Sequence, residues 1–392
     1  MLRLIFFLLL SATALADDTQ ETSGLFDDYL TQVRDQAQAQ GVSKQTLDLT
    51  LSGLTPNPKV LKFDRSQAEF SLNFWRYLNT RVSTHRLENG AKQLAEHRVQ
   101  LQEIYQQYGV PPHVIVAFWG LESNFGHHTG SLSLVRSLAT LGHDLRRSEF
   151  FTKELLVLLK LIDQGRIPAD AKGSWAGAMG GVQFMPSNVA AYGVDADQDG
   201  KIDLWHSKAD IFASAANFLK ALGWQRGYRW GREVQLPTTF DYQLANLKHQ
   251  QSLQYWKQLG LKNADGSELS SAALQASVVL PMGYQGPAFL VYQNFSIMLR
   301  WNRSILYALS VAHLSDRLSG AGELTAKPLL EPSLSRDQVK HIQTRLNVLG
   351  FDTGEPDGIS GPKTRAAARA YQAANNLPAD GYVGYQLFER LQ

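Results

Sequence analysis

The sequence predicts a mainly α-helical protein of the α+β class with more than one domain. Apolar residues recur at helical spacing from about residue 23 to 101 and again from about 111 to 223. Proline and glycine divide residues 233–290 into short segments, and residues 277–280 have the composition of a strand. Residues 335–392 then carry a helical pattern of their own.

Length and composition set the first limits on the class of protein. The 392 residues are 44% hydrophobic and 19% charged, which excludes an intrinsically disordered chain. That length exceeds what one hydrophobic core usually serves, so two or more domains are expected. The net charge of +2 is too balanced to hold a polyanion, which excludes nucleic acid as a partner. The absence of cysteine excludes disulfides, thiol catalysis and Cys-ligated zinc.

The N-terminus has the features of a signal peptide. Met1-Leu-Arg3 is positively charged, residues 4–10 form a short apolar run, and Ala14-Leu-Ala16 offers the small residues that a signal peptidase accepts. A buried N-terminal helix is the alternative. We expect cleavage after Ala16 and a soluble periplasmic protein without a transmembrane segment, since no apolar run reaches about 18 residues. No cysteine follows the run, so we expect no N-terminal lipid anchor.

The main body is expected to span residues 17–318. Within it, a helical core at about 102–232 precedes a β-containing insert at about 233–290. Asn294 is expected to cap an apolar helix that runs through Leu314 and returns to the helical body.

The C-terminal part is expected to be a separate domain. Residues 319–334 have the glycine and proline content of a linker. In residues 335–392, Val339, Ile342 and Leu346 fall on one face of a helix, which predicts a small core.

Residues 111–126 contain the most specific candidate for catalysis. Proline suits the first turn of a helix and Gly126 suits its end, so Ile115, Phe118 and Glu122 are expected on one face. Burial of a carboxyl group on an apolar face favours its neutral form, which can donate a proton near neutral pH as glycosidases require. A surface glutamate at a helix end is the alternative.

Residues 174–187 form a second candidate segment. Their glycine and alanine residues let the backbone approach a ligand closely, while Ser174 and Gln183 offer neutral hydrogen-bonding groups. Tight packing of helices is the alternative.

Together these segments resemble the lytic murein transglycosylase B family, glycoside hydrolase family 103. The matching stretches are Gly120-Leu-Glu-Ser-Asn-Phe-Gly126, Ala176-Gly-Ala-Met-Gly-Gly-Val-Gln-Phe-Met-Pro-Ser187, residues 195–205, Asn294-Phe295, Trp301-Asn-Arg-Ser304 and Tyr307-Ala308. They occur in the family's order within about residues 24–320. The resemblance implies a lysozyme-like catalytic core.

By this resemblance, Glu122 is the only catalytic carboxylate. The resemblance also implies that a set of side chains lines the glycan cleft around it. These expected substrate-binding residues are Ser174, Gln183, Trp301, Asn302 and Tyr307. Trp301 stands where some relatives have tyrosine, so we expect a ring that stacks on sugar without a phenolic hydroxyl.

The implied reaction is non-hydrolytic cleavage of peptidoglycan glycan strands. A glycosidase normally uses two carboxylates, but neither segment offers a second one, and Asp144 and Glu149 are expected to be solvated or salt-bridged. Glu122 would protonate the oxygen between N-acetylmuramic acid and N-acetylglucosamine, then accept the C6 hydroxyl proton, leaving a 1,6-anhydromuramoyl end. No catalytic cofactor is required. A hydrolytic muramidase and a non-catalytic wall-binding scaffold are the alternatives.

Residues 195–206 resemble an EF-hand calcium loop. Aspartates at alternate positions supply hard oxygen ligands, and Gly200 permits the sharp turn. The twelfth position is His206 rather than glutamate, and the family resemblance implies a longer loop. We expect a structural calcium ion, with an Asp/Gly turn that binds no ion as the alternative. The expected ligands are Asp195, Asp197, Asp199, the Lys201 carbonyl and Asp210.

Residues 335–392 resemble the small peptidoglycan-binding domain, a three-helix module. The matching positions are Val339, Ile342-Gln343, Leu346, Leu349-Gly-Phe351, Asp357-Gly358, Gly361, Thr364, Asp380-Gly381 and Gly384. The expected partner is the peptidoglycan glycan strand, and the protein is expected to be monomeric.

Overall fold

Residues 13–65 and 73–392 are described by the structure, a computed structural model, with side chains from residue 25 onward. Helices predominate in these residues and small sheets complete the fold, which confirms the predicted mainly helical class. The predicted signal peptide, residues 1–16, falls largely outside the described residues, and cleavage after Ala16 stays a prediction. No described helix is long and apolar enough to cross a bilayer.

The regular elements of the described chain are as follows. The helices are α1 (Thr13–Ala39), α2 (Lys44–Leu51), α3 (Pro58–Arg65), α4 (Phe74–Arg81), α5 (Thr84–Glu96), α6 (Arg98–Tyr108), α7 (Pro112–Ser123), α8 (Leu134–His143), α9 (Ser148–Asp163), α10 (Pro186–Tyr192), α11 (Lys208–Ala221), α12 (Leu253–Gln258), α13 (Gln293–Trp301), α14 (Ile305–Leu318), α15 (Arg336–Val348), α16 (Pro362–Ala374) and α17 (Tyr385–Arg390). The strands are β1 (Leu132–Ser133), β2 (Lys172–Gly173), β3 (Gly231–Gln235), β4 (Gln251–Ser252), β5 (Lys262–Asn263), β6 (Gln275–Val279) and β7 (Ala288–Val291).

The chain forms two compact units, each assembled from two separate stretches. Unit 1 comprises Met1–Ser66 and Gly126–Ala215, and unit 2 comprises Gln67–Phe125 and Ala216–Gln392.

Unit 1 is built around the packed pair α8 and α9. Leu138 on α8 and Leu158 on α9 are fully buried, as expected for the apolar stripes of two facing helices. The buried Glu154 of α9 accepts hydrogen bonds from the backbone N–H and hydroxyl of Ser187, at 2.8 and 2.6 Å. These bonds satisfy a donor at the start of α10 and anchor the end of the predicted segment 174–187.

Unit 2 contains a five-stranded antiparallel sheet in the region predicted to be β-containing. The strand order is β4-β6-β7-β3-β5, and the strand predicted at 277–280 overlaps β6, which ends at Val279. β3 begins at Gly231, slightly before the expected start of the insert. Trp256 is fully buried beneath the sheet and its indole N–H donates to the Ala276 carbonyl at 2.9 Å, so this insert has a hydrophobic core of its own.

The single helix predicted from Asn294 to Leu314 is wrong in two respects. It is divided into α13 and α14, and Asn294 is not its cap. The buried Asn294 amide instead bonds to the backbone of Gln225 and Tyr228, because these polar groups need partners inside the protein.

The C-terminal module consists of α15, α16 and α17 around a small apolar core. Ile342 and Leu346 of α15 are fully buried there, as their spacing predicts. Ser335 and Gln338 form a capping box that fixes the start of α15. The module packs on the rest of unit 2, since Asp380 Oδ2 accepts a 2.8 Å hydrogen bond from the backbone N–H of Tyr284.

Candidate functional site

The helix that carries Glu122 is apolar on all sides. Ile115 and Phe118, expected on the face that carries Glu122, are fully buried, and so are Val116 and Ala117 on the other sides of the helix. A helix enclosed on every side needs no amphipathic stripe. Glu122, in the last turn of α7, is half-buried.

The end of α7 differs from the prediction that Gly126 terminates it. The helix stops at Ser123, and Asn124 and Phe125 adopt left-handed backbone conformations with φ of 50° and 59°. Asn124 tolerates this conformation better than most residues. Phe125 then folds back on Gly120, where an added Cβ would come within 2.8 Å of its ring. Gly120 is therefore required for the tight turn that follows Glu122.

Two neutral donors hold the carboxylate of Glu122. The Trp301 indole N–H donates to Oε1 at 2.7 Å, and the Tyr307 hydroxyl donates to the same oxygen. Trp301 in turn packs on Phe118 and Phe218, with ring centroids 4.3 and 5.2 Å apart. Although Trp301 has no phenolic hydroxyl, its indole N–H thus supplies a hydrogen bond at this position.

The break between α13 and α14 brings Trp301 and Tyr307 to Glu122. Asn302 Oδ1 accepts from the backbone N–H of Ser304, and Ser304 Oγ accepts from that of Tyr307. These bonds end one helix and cap the next. Trp301 therefore lies at the last position of α13 and Tyr307 in the first turn of α14. Asn302, predicted to line the cleft, uses its carbonyl oxygen within this turn.

The phenol of Tyr307 is a permanent donor. Burial raises its pKa well above the usual value, and the neighbouring Glu122 carboxylate raises it further. Tyr77 and Arg81 of α4 also act on this phenol electrostatically, and the Arg81 charge opposes the rise in pKa. Sequence reasoning missed both residues, although Arg81 lies one helical turn after Tyr77 and over its ring at 5.2 Å.

Ser174 and Gln183 lie in unit 1. Ser174 follows β2, and its N–H and Oγ bond to the backbone C=O and N–H of Ala178 at 2.7 and 3.0 Å. Gln183 has a left-handed φ of 50°, a costly conformation for a residue other than glycine that often marks a functional position. Its amide N–H groups donate to the carbonyls of Gly180 and Thr129, at 2.9 and 3.3 Å. With these N–H groups engaged, the carbonyl oxygen is the atom of this side chain that can accept a further hydrogen bond.

Asp144 and Glu149, which were expected to be solvated or salt-bridged, form ion pairs in unit 1. Asp144 lies 3.6 Å from Arg65 and 3.7 Å from Arg146, and the exposed Glu149 lies 2.6 Å from Lys153. Both are therefore neutralised by arginine or lysine.

The predicted metal ligands are partly gathered in unit 1. Ligand oxygens of Asp195, Asp197 and Asp210 lie within 4.8 Å of one another, whereas Asp199 turns to accept from the backbone N–H of Lys201 at 2.9 Å. Asp210 is fully buried, and burial raises its pKa. Three converging carboxylates repel one another unless a cation neutralises them, and their all-oxygen donor set suits calcium. The residues present fit the expected ion.

Two family comparisons agree with this arrangement. The family described as Transglycosylase SLT domain matches residues 25–316, and a peptidoglycan binding domain family matches residues 335–391. The chain belongs to the transglycosylase SLT domain family. This membership confirms the resemblance predicted from the motifs.

Individual relatives extend the match. The chain is 33% identical over 253 residues to the membrane-bound lytic murein transglycosylase B of Escherichia coli K12, covering 62% of this chain and 67% of that one. It is similar to the structure of SltB3 from Pseudomonas aeruginosa in complex with NAG-anhNAM-pentapeptide, at 44% identity and a TM-score of 0.89, covering 93% and 99% of the two chains. It is also similar to Escherichia coli Slt35 in complex with calcium, at 30% identity and a TM-score of 0.63, covering 76% and 93%.

Proposed function

We propose that this chain cleaves peptidoglycan glycan strands by the lytic transglycosylase reaction, with Glu122 as its single acid and base. Family membership confirms the predicted enzyme class, that of a peptidoglycan-cleaving lytic transglycosylase. The observation that carries the assignment of Glu122 is the pair of neutral donors on one oxygen of its carboxyl group.

The hydrogen bonds to Glu122 define where its proton sits. Oε1 accepts from both Trp301 and Tyr307, so a proton on the carboxyl group is carried by Oε2. From Oε2 it is donated to the glycosidic oxygen between N-acetylmuramic acid and N-acetylglucosamine as that C–O bond breaks. The two donors then stabilise the carboxylate that remains, which lowers the barrier for proton transfer.

The second half of the reaction uses the same carboxylate. It accepts the proton of the C6 hydroxyl while O6 bonds to C1, which gives a 1,6-anhydromuramoyl end and consumes no water. The oxocarbenium ion is stabilised by the substrate's own N-acetyl group. A second catalytic carboxylate is unnecessary, and the ion-paired Asp144 and Glu149 do not supply one.

Substrate binding is proposed for the side chains predicted to line the cleft. Gln183 accepts from a hydroxyl or amide N–H of a sugar, because its own amide protons are engaged by the backbone. Ser174 donates its hydroxyl proton, since Oγ already accepts from Ala178. Trp301, Asn302 and Tyr307 are proposed to line the same site. The indole N–H and the phenol bond to Glu122, and the Asn302 carbonyl oxygen bonds within the local turn, so the rings and the Asn302 amide N–H groups are the parts proposed to meet the sugar.

A structural calcium ion is proposed for the loop of unit 1. Asp195, Asp197 and Asp210 would hold it, with Asp199 and the Lys201 carbonyl completing the set. The relative Slt35 has been solved in complex with calcium, which supports the same ion here. The ion would neutralise the loop without taking part in the reaction.

The domain limits and location follow from the sequence. We propose a catalytic region at 17–318, a linker at 319–334 and a wall-binding module at 335–392, the last supported by the peptidoglycan binding domain match. Within the catalytic region, the core covers about 102–232 and the β-containing insert about 233–290. Export of a soluble protein to the periplasm is proposed from residues 1–16.

Replacing Glu122 by glutamine tests the proposal. The amide keeps the shape of the side chain but cannot donate the acidic proton, so Glu122→Gln should lose turnover of purified sacculi while still sedimenting with them. Lys340→Ala, an exposed change in the C-terminal module, is the control and should retain wild-type turnover.

The mass of the released fragments separates the alternatives. Anhydro ends identify the transglycosylase reaction, and fragments heavier by one water identify a muramidase. Turnover by Glu122→Gln would refute the assignment of this residue, and an inactive wild-type protein would favour a wall-binding scaffold.

A further inference from the structure

Helix α4 places a positive charge close to the tyrosine that bonds to Glu122. The helix packs on α14, which carries Tyr307, and α14 in turn packs on α7, which carries Glu122. Tyr77 of α4 is buried, and the guanidinium of Arg81, one helical turn later, lies over its ring at 5.2 Å. Both side chains act electrostatically on the Tyr307 phenol. The charge of Arg81 therefore reaches the hydrogen-bonding partner of Glu122 from a neighbouring helix.

The half-buried Arg81 is held in place from two sides. Its guanidinium is attracted by the negative face of the Tyr77 ring. Its backbone carbonyl and that of Thr80 accept from the guanidinium of Arg86 on α5, at 3.2 Å for Thr80. Arg81 also lies in the last turn of α4, where the helix dipole favours a cation. An arginine held in this way keeps its charge at a constant distance from the phenol.

The charged and titratable groups around Tyr307 come from the helices packed against α14. Glu122 and Tyr77 raise the pKa of the Tyr307 phenol, and Arg81 opposes them. Arg300 of α13 is engaged elsewhere, since it donates to the Leu222 carbonyl at 2.9 Å. The other titratable side chains of α4, α5, α7 and α14, apart from the Arg86 already placed, are exposed or lie more than a helical turn from Glu122 and Tyr307 along the chain: Arg76, His85, Glu88, Lys92, Glu96, His113, His313, Asp316 and Arg317.

We infer that Arg81 is a positioning residue of the reaction, which acts on Glu122 through the hydroxyl of Tyr307. The inference rests on the proposed function, which makes Glu122 the acid. A positive charge near the phenol stabilises negative charge on its oxygen, so the hydroxyl becomes a stronger donor. The stronger hydrogen bond stabilises the Glu122 carboxylate that is left when the proton passes to the glycosidic oxygen. Arg81 thereby helps to set the pH at which Glu122 releases its proton.

The pH dependence of kcat/KM for purified glycan strands tests the inference. Arg81→Gln removes the charge, so the alkaline decline of kcat/KM should move to higher pH, by about half a unit for one partly screened charge. The shift should be smaller than that of Tyr307→Phe, which deletes the whole hydrogen bond. Adding Arg81→Gln to Tyr307→Phe should cause no further shift, because the hydroxyl through which the charge acts is absent.

Two further variants separate the charge from the structure of α4. Arg81→Lys keeps the positive charge, so its alkaline decline should occur at the wild-type pH. Arg76→Gln is the matched control, because Arg76 is an exposed arginine on the same helix and its loss should also leave the decline unchanged. A purely structural role of Arg81 would change kcat/KM without moving the decline.

Titration of the Glu122 carboxyl group by NMR gives a readout that needs no turnover. The protein is labelled with carbon-13 at the glutamate side-chain carboxyl, and the spectrum of Glu122→Gln identifies the signal. The pKa of Glu122 should be higher in Arg81→Gln than in the wild type. An inactive wild-type protein would refute the proposed function, whereas this titration still decides the role of Arg81.

Three results would overturn the inference. One is an equal pKa of Glu122 in the wild type and Arg81→Gln. Another is a pair of shifts that add in the double variant, since Arg81 would then act on Glu122 independently of Tyr307. The third is a shift in Arg76→Gln as large as that in Arg81→Gln, because any charge on α4 would then have the same effect.

Discussion

Removing the Tyr307 hydroxyl should move the pH range in which the enzyme works. The variant Tyr307→Phe keeps the buried ring and deletes one of the two donors on Glu122 Oε1. Donors favour the ionised carboxylate, so without this one Glu122 keeps its proton to higher pH. In the proposed mechanism the protonated form of Glu122 starts the reaction, so the pH at which kcat/KM declines on the alkaline side should rise.

The size of the shift follows from the hydrogen bond. A hydrogen bond to a charged group stabilises by about 1.5–3 kcal/mol, and one pH unit corresponds to about 1.4 kcal/mol. The pH at which kcat/KM declines on the alkaline side should therefore rise by about one to two units. The phenol itself does not titrate in this range, since burial and Glu122 raise the pKa of Tyr307.

The measurement is kcat/KM for purified glycan strands from pH 4 to 9, with Tyr29→Phe as the control. Tyr29 is also a partly buried tyrosine with a raised pKa, but its hydroxyl bonds to Thr152 in unit 1, at 2.9 Å. Loss of the Tyr29 hydroxyl should leave the alkaline decline of kcat/KM at the same pH. If the alkaline decline of kcat/KM in Tyr307→Phe is unchanged, or moves to lower pH, the assignment of Tyr307 as a donor to the proposed catalytic acid is refuted.

Three further predictions concern stability. Calcium at a hundred times its dissociation constant should stabilise the wild type by about 2.7 kcal/mol. The metal site would be contradicted if a chelator left the melting temperature unchanged, or if calcium raised it equally in Asp210→Asn. Gln343→Ala should lower the free energy of unfolding by about 2–3 kcal/mol in a denaturant titration, because this buried amide bonds to Asp357, Thr364 and backbone groups around them. An unchanged denaturation midpoint would count against that network. Burial lowers the pKa of His313 from 6.5 to about 4, so the unfolded chain binds more protons than the folded protein between these pH values. The free energy of unfolding of the wild type should therefore fall by up to about 3 kcal/mol as the pH drops through this range. His313→Gln should lose less over the same range, and an equal loss would argue against His313 as the cause.

Local patterns predicted the parts of the fold that local interactions decide. The motif around Glu122 predicted a helix with a carboxyl group near its end, and α7 has both. The spacing of Val339, Ile342 and Leu346 predicted the core of the C-terminal module. In each case the residues that form the element are close together in sequence.

The sequence was less informative where side chains compete for the backbone. The apolar run after Asn294 indicated one helix, but Asn302 and Ser304 bond to nearby N–H groups and divide it. An asparagine and a serine two residues apart are residues that often cap helices, so the signal for a break was present.

Roles that depend on distant contacts could not be predicted. Trp301 is 179 residues from Glu122 in sequence, and only the packing of α13 near α7 shows that its indole N–H donates to the carboxylate. The role of Asp380 was equally hidden. Its Asp-Gly pair indicated a turn, whereas its carboxylate also attaches the module to the insert.

The docked module has a consequence for how this protein meets an insoluble wall. A module on a loose tether would bring substrate near by raising its effective concentration, which depends on the length of the tether. Here the segment after α14 is itself held, since Glu233 accepts from the backbone N–H groups of Thr325 and Ala326, both at 2.7 Å. A strand bound by the module is then presented at a fixed distance and angle within unit 2. Extra linker residues would hardly change turnover, because the docked module holds its position without them. If the module were undocked, it would no longer fix the position of a bound strand and would only keep that strand nearby.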